Sequence, residues 1–384
     1  TIQMAEEKLD LSELHHDAQK ASELSSYYSH FDTKVEDFDL HVYFNFRHKI
    51  KGGDGKYRYE YRVAKIDDTT VLKESIKDNV ITKTLNDLSS GGVAVSDIKQ
   101  LSDRASTISF LEDAKSYKDE QMSFLTGIIF DKGFGGDGDI PVVNFEKFDK
   151  ISKVDSIVFV LRKGDKCITI YKKQYPIQNL TKQKNHYFSY SKDTLSKIDA
   201  DMISIDGKAS IVFVKGTAYI YDQDVFEKFF GYKKWIKKVA GEFVSEMKQK
   251  FSSIVDFGKV TDRLEKESAD ADAFSRKLAR IYNNKDLRAS FNTVTPEKIS
   301  DFLVENEYFA RLLKYKSAEE PLEVSTHDQQ EAFILIVSEG VLRSLITGFD
   351  YLSPAAKRKI ATGQTAQKPS SVVTRIPSSA SDAA

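Results

Sequence analysis

Tight turns set between short apolar segments constrain this chain more than any other feature. Gly164-Asp165, Asp206-Gly207 and Lys215-Gly216 each fall among segments dense in valine, isoleucine, phenylalanine and tyrosine. Connections this short need residues that tolerate unusual φ, and short segments joined by them pair as hairpins. The pattern predicts an antiparallel meander with strands at Ile157 to Leu161, Lys166 to Tyr171, Met202 to Ile205, Ala209 to Val214 and Ala218 to Tyr221. After Asp224 the apolar spacing becomes helical and stays so to about residue 350. Thr295-Pro296 reads as an N-cap and first-turn pair, and Thr326 with Gln329 matches a capping box. The expected class is α+β (mixed α/β): an antiparallel central sheet with a largely helical C-terminal region.

Upstream, two strand-like runs from Leu40 to Ile66 flank Lys51-Gly52-Gly53-Asp54-Gly55, where glycines permit the positive φ of a hairpin turn. Helical patterns are expected around Val71 to Leu88 and Val95 to Lys118, a strand near Phe124 to Phe130, and a glycine-rich loop from Lys132 to Gly138. The divisions read as a polar N-terminal extension at 1–35, an N-terminal α/β domain at 36–148, a second domain at 149–360 with its sheet at 156–222 and helices at 223–360, and a disordered tail at 361–384. That tail is rich in Ser, Thr, Ala and Pro and has too little apolar surface to offset its ordering entropy.

A chain of 384 residues that is 40% hydrophobic can bury one large core or two moderate ones without an oligomer. The single cysteine, Cys167, excludes an internal disulfide framework and fits a reducing cytoplasm. The apolar run Ile157 to Leu161 has strand length, far from the roughly 20 residues that span a bilayer. Residues 1–30 have no basic-then-apolar order and do not read as a signal peptide. Net charge is −1, but residues 1–148 carry 19 basic against 27 acidic side chains, while residues 149–384 carry 38 against 31. The second half is the candidate polyanion-binding side.

Catalytic signatures do not survive their structural requirements. Gly133, Gly135 and Gly138 have dinucleotide-fingerprint spacing, but Asp139-Ile140-Pro141-Val142-Val143 continues extended where a helix must open. Asp131, Asp137 and Asp139 lack calcium-loop spacing. A metal-dependent nuclease needs an acid-x-Lys strand opposite a second acid, yet Phe213 stands two before Lys215, and Asp201 and Asp206 read as strand-end and turn residues. The seven histidines have no paired metal spacing, and His15 and His16 point to different helix faces. No serine elbow or P-loop is present. No catalytic residue, metal or cofactor is expected.

Two features favour binding to a polyanion. From Val225 to Ile254 a helical stripe of Phe229, Tyr232, Ile236, Val239, Phe243 and Met247 leaves Lys233, Lys234, Lys237, Lys238 and Lys248 on other faces, where they could meet successive phosphates. A solvated lysine face is an equal reading of the same residues. Arg162, Lys163, Lys172 and Lys173, just after the first two predicted strands of the meander, are the alternative cationic set. The second feature is Tyr57, Tyr59 and Tyr61, which alternate with charges so that all three share a strand face. Tyrosines so placed can stack on exposed bases, although they more often pack a half-buried sheet.

The runs Val158-Phe159-Val160, Ile170-Tyr171-Lys172-Lys173, Asp201-Met202-Ile203-Ser204-Ile205, Tyr219-Ile220-Tyr221 and Phe226-Glu227-Lys228-Phe229-Phe230-Gly231-Tyr232 resemble the core of the KwaB-like family. Arg343-Ser344-Leu345-Ile346-Thr347-Gly348, followed by Tyr351 and Lys357, is similar to its closing element, and Tyr61-Arg62-Val63-Ala64-Lys65-Ile66 is similar to its opening strand. The resemblance implies a bacterial antiphage role in the Kiwa system, with DNA and a KwaA-like transmembrane protein as partners. It implies no catalytic motif. The expectation is a non-catalytic DNA-binding effector, cytoplasmic and recruited to the inner membrane by its partner, and forming a homo-oligomer. A metal-dependent nuclease and a pure protein scaffold are the alternatives.

Overall fold

The computed structural model describes residues 12–66, 70–90, 93–101, 107–127, 151–180, 187–338, 341–343, 350–352 and 375–376. The chain divides into two compact units, Thr1–Ile98 with Ser102–Tyr232, and Lys99–Leu101 with Lys233–Ala384. The first is a sheet unit and the second is helical, so the fold is α+β.

The sheet unit contains the strands β1 (Asp39–Lys51), β2 (Tyr57–Ile66), β3 (Ala94–Asp97), β4 (Thr107–Leu111), β5 (Val154–Lys163), β6 (Lys166–Lys173), β7 (Asn179–Leu180), β8 (Tyr187–Ser191), β9 (Thr194–Ile198), β10 (Met202–Ile203), β11 (Ile211–Val214) and β12 (Thr217–Ile220). Eight of them form one sheet in the order β2-β1-β5-β6-β11-β12-β4-β3. Its pairings are antiparallel except β3 with β4. Two of the three expected turns have the predicted chemistry: Gly164 has φ +62°, and Lys215 and Gly216 have φ +46° and +84°, whereas neither Asp206 nor Gly207 takes a positive φ and their segment joins no hairpin.

Distant pairing corrects the proposed seam at 148. Strand β1 lies against β5, with Val42 opposite Phe159 and Phe44 opposite Ile157, so one sheet takes strands from both sides of that point. The polar extension is corrected as well. Ser12–Phe31 is a helix, α1, whose Leu24, Tyr27, Tyr28 and Phe31 recur at i, i+3, i+4 and i+7 and enter the core beside Phe44, Phe159 and Ile170. Part of the expected helix over Val95 to Lys118 is instead β3 and β4, where Ile108 and Phe110 alternate into the core. The expected strand at Phe124 begins as a helix, α4 (Glu120–Thr126), because Asp119 caps it by accepting the Met122 amide at 2.9 Å. Helices α2 (Thr70–Ile76) and α3 (Lys83–Ser89) are joined by a π-helical stretch, Lys77–Thr82, within the helical pattern expected from Val71 to Leu88. Met202 and Ile203 leave the meander and pair with Leu180 and Asn179.

Helix α5 (Gln223–Phe229) closes this unit, capped by Asp222. Gly231, at φ +68°, then breaks the helix expected to run unbroken from Val225 to Ile254. The helical unit follows with α6 (Tyr232–Phe251), α7 (Gly258–Glu265), α8 (Ala269–Asn283), α9 (Lys285–Thr293), α10 (Pro296–Glu305), α11 (Glu307–Leu312) and α12 (His327–Val337). The Thr295 hydroxyl caps α10, and Thr326 with Gln329 forms the expected capping box on α12. Phe243, Phe251, Phe291 and Phe333 meet edge to face in its core. Three short strands, β13 (Val341–Arg343), β14 (Asp350–Leu352) and β15 (Arg375–Ile376), pair with one another. Arg375 and Ile376, which fall within the sequence-predicted tail, are thus paired. The remainder of the tail and the glycine-rich loop, with Asp131, Gly133, Gly135, Asp137, Gly138 and Asp139, lie outside the described residues.

Candidate functional site

Helix α6 carries the first cationic set. Ala240, Phe243, Val244, Met247 and Phe251 turn inward to the helical core. The opposite side presents Lys234, Lys238, Gly241, Ser245 and Lys248, spaced by four, three, four and three residues and therefore aligned along one stripe. Lys234, Lys238 and Lys248 are exposed. The five predicted lysines are not electrostatically equivalent. Lys233 and Lys237 both reach Asp272 on α8, at 2.7 and 3.6 Å, and Lys237 also donates to the Lys266 carbonyl at 3.3 Å. Lys238 stands 3.9 Å from Glu242 on its own helix. The two ends of the stripe, Lys234 and Lys248, have no acidic partner among the described residues. Beside its small-residue centre, Gly241, Val244, Ser245 and Lys248 open with Thr261 and Leu264 of α7 onto a cavity of about 340 Å³. A side chain at Gly241 would meet nothing within 4 Å, so the helix surface there is unobstructed.

The alternative set on β5 and β6 is placed very differently. Lys172 and Lys173 are 4% and 6% exposed, because successive strand residues point to opposite faces and each face buries its own lysine. Lys172 pairs with Asp206 and donates to the Lys208 carbonyl at 3.2 Å. Burial pushes the Asp206 carboxyl up, but the Lys172 ammonium and the Lys208 amide outweigh it and hold it below its usual range. Lys173 pairs with Asp155, and its ammonium lies 4.2 Å from the centre of the Phe229 ring. Burial pulls the Lys173 ammonium down, against the pull of Asp155. Lys163 donates to the His30 carbonyl at 3.3 Å and to the Thr33 hydroxyl at 2.9 Å, tying β5 to the end of α1. Arg162, half-buried, stands opposite Asp39 and Cys167. As a surface for a phosphate backbone this set is corrected: Lys172 and Lys173 are internal ion-pair partners, and Lys163 is a strut.

The hairpin of β1 and β2 brings three cations face to face with the three alternating tyrosines. Its register places Lys51 opposite Tyr57, Lys49 opposite Tyr59 and Arg47 opposite Tyr61. Sequence reasoning misses these cations because cross-strand neighbours here are six to fourteen residues apart. The signal that could find them is the turn at Gly52 to Gly55, whose centre fixes which residues face each other. No group of three or more His, Cys, Asp or Glu side chains that could hold a metal occurs among the described residues.

Comparison with known proteins covers the stretch from β5 to β13. A family model described as Kiwa protein KwaB-like matches residues 151–347, more than half of the chain. The Kiwa protein KwaB of Escherichia coli O55:H7 (strain RM12579 / EPEC) is 23% identical over 217 residues, which cover 56% of this chain and 66% of that relative. The matched stretch thus spans just under two thirds of the relative's length. No solved structure matches.

Proposed function

This chain belongs to the Kiwa protein KwaB-like family, and from that membership we propose that it is the DNA-binding, non-catalytic component of a Kiwa antiphage defence system. The observation that carries the DNA-binding part is the exposed stripe of Lys234, Lys238 and Lys248 on α6. The outermost of those lysines stand 14 residues apart on the helix, or about 21 Å at a rise of about 1.5 Å per residue. A duplex strand presents about six phosphates over that length, at about 3.4 Å each. Gly241 and Ser245 let the backbone approach closely between the terminal cations. Binding of this kind reads phosphates and carries no sequence preference. A KwaA-like membrane protein is the proposed partner, in keeping with the absence, among the described residues, of any helix long and apolar enough to cross a membrane.

The test is Lys234→Glu with Lys238→Glu. Surface changes of this type are expected to alter stability by about 0.5 kcal/mol or less. Affinity for unrelated duplexes should fall alike. The logarithmic salt slope should become shallower by about 1.8, the share of two phosphate contacts at about 0.9 each. Unchanged affinity and slope in the folded variant would reduce the stripe to a solvated face.

The purified chain is further expected to leave labelled DNA intact with Mg²⁺, since Asp206 is engaged by Lys172 and the Lys208 amide at the turn. Metal-dependent fragments that vanish on mutating Asp201 or Asp206 would reverse that expectation.

A further inference from the structure

We propose that the free end of the β1–β2 hairpin is a stacking platform for single-stranded nucleic acid, with Tyr57 and Tyr59 taking bases and Lys49 and Lys51 taking the phosphates between them. The inference uses residues of the sheet unit alone and does not depend on the α6 stripe. Strand β1 pairs with β5 only from Asp39 to Phe46, whereas its pairing with β2 continues to Lys51 opposite Tyr57. Residues 47–51 and 57–61 therefore form a two-stranded ribbon beyond the β5 pairing. Alternation puts Arg47, Lys49, Lys51, Tyr57, Tyr59 and Tyr61 on one face, a cation opposite each tyrosine.

The face is arranged as a ladder of rings and charges. Lys49 Nζ lies 4.3 Å from the Tyr57 ring centre, and the Arg47 guanidinium lies 4.5 Å from that of Tyr59. At the root, Tyr61 stacks on Phe124 at 4.7 Å with an interplanar angle of 18°, which anchors the stripe to α4. Towards the tip the rings open to solvent, Tyr59 at 37% exposed and Tyr57 at 63%. The acidic groups of the ribbon are directed elsewhere: Glu60, on the opposite face, accepts from Arg62 at 3.3 Å, and Asp54 accepts the Lys56 amide within the turn. Exposed aromatic rings interleaved with cations match the two chemical parts of a nucleotide strand, its bases and its phosphates.

Spacing selects the single strand. Alternate residues of an antiparallel strand are about 6.8 Å apart, roughly twice the 3.4 Å that separates stacked nucleotides along one duplex strand. Bases seated on successive tyrosines must therefore be unstacked from each other, which a paired duplex does not allow without opening.

The experiment measures fluorescence anisotropy of a labelled oligothymidylate, and of a duplex of equal length, with the full chain. Wild type is expected to bind the oligothymidylate. Tyr57→Ala with Tyr59→Ala should weaken that binding about 25-fold or more, from two stacking contacts worth at least about fivefold each, while changing the duplex far less. Tyr57→Phe with Tyr59→Phe keeps both rings and should stay within about threefold of wild type. The salt slope for the alanine pair should match wild type, since no charge is lost. Tyr57→Ala alone, at the most exposed ring, serves if the pair does not fold, with at least about a fivefold loss expected. No binding of oligothymidylate by wild type, no loss in the alanine variants, or equal loss on duplex and single strand would each overturn the platform. Failure of the α6 reading is separate: it is seen in Lys234→Glu with Lys238→Glu on duplex DNA, whatever the tyrosine variants do.

Discussion

Phe31→Ala is expected to destabilise the sheet unit by about 3–5 kcal/mol, the cost of deleting a fully buried phenyl ring and leaving a cavity behind it. Phe31 is wholly buried, meets Phe38 at 6.1 Å between ring centres, and shares its core with Leu24, Tyr28 and Phe159. A typical domain holds about 5–15 kcal/mol in all, so the loss is a large fraction of what keeps α1 and the sheet together. Because the chain has two units, urea unfolding is expected to show two steps, and only one of them should move. A shift equivalent to less than about 0.5 kcal/mol, within the range of ordinary surface changes, would mean that α1 does not belong to the core.

That result bears on how much of this fold its sequence discloses. Turns and caps are legible because their chemistry is local: Gly164, Lys215 and Gly216 adopt positive φ where the turn residues stand, and Gln329 returns to the Thr326 amide at 3.0 Å. Helix α1 is obscured because its apolar stripe of Leu24, Tyr27, Tyr28 and Phe31 lies among serines, histidines and acids that lower the average. The break at Gly231 is hidden for the opposite reason. Phe226, Phe229, Phe230 and Tyr232 continue a helical period across it, while the conformation of one glycine ends the helix. Long-range pairing is not legible at all. Nothing near Val42 announces Phe159, and without that register a seam at 148 is a reasonable division.

The cationic sites divide along the same line. Helical spacing alone aligns Lys234, Lys238 and Lys248, so the α6 stripe follows directly from the order of residues along the chain. The engagement of the neighbouring Lys233 and Lys237 by Asp272 does not, since that carboxylate arrives from a different helix. Lys172 and Lys173 look like neighbours in sequence and are opposites in space, one on each face of β6. Their carboxylates, Asp206 and Asp155, lie 34 and 18 residues away.

Asp155→Ala is the second large effect expected, and it separates an internal ion pair from a binding cation. Lys173 is 6% exposed, with Asp155 as its paired carboxylate, and the same carboxylate stands 3.5 Å from Arg47 at the root of the β1–β2 ribbon. Removing it strands a buried ammonium, a change that costs about 3–5 kcal/mol where one partner of a buried pair is deleted. Replacing Lys173 with methionine in the same chain removes the stranded charge and leaves an apolar side chain of similar reach beside the Phe229 ring, so the double variant should regain much of the loss. Urea midpoints of the two single variants and the double variant form the cycle that measures this. If Lys173 were instead a solvent-facing phosphate ligand, Asp155→Ala would change stability little and the double variant would show no recovery. Strong coupling in the cycle, with duplex affinity unchanged by Lys173→Met, is the outcome that keeps Lys173 inside the sheet and leaves the α6 stripe as the duplex-binding surface.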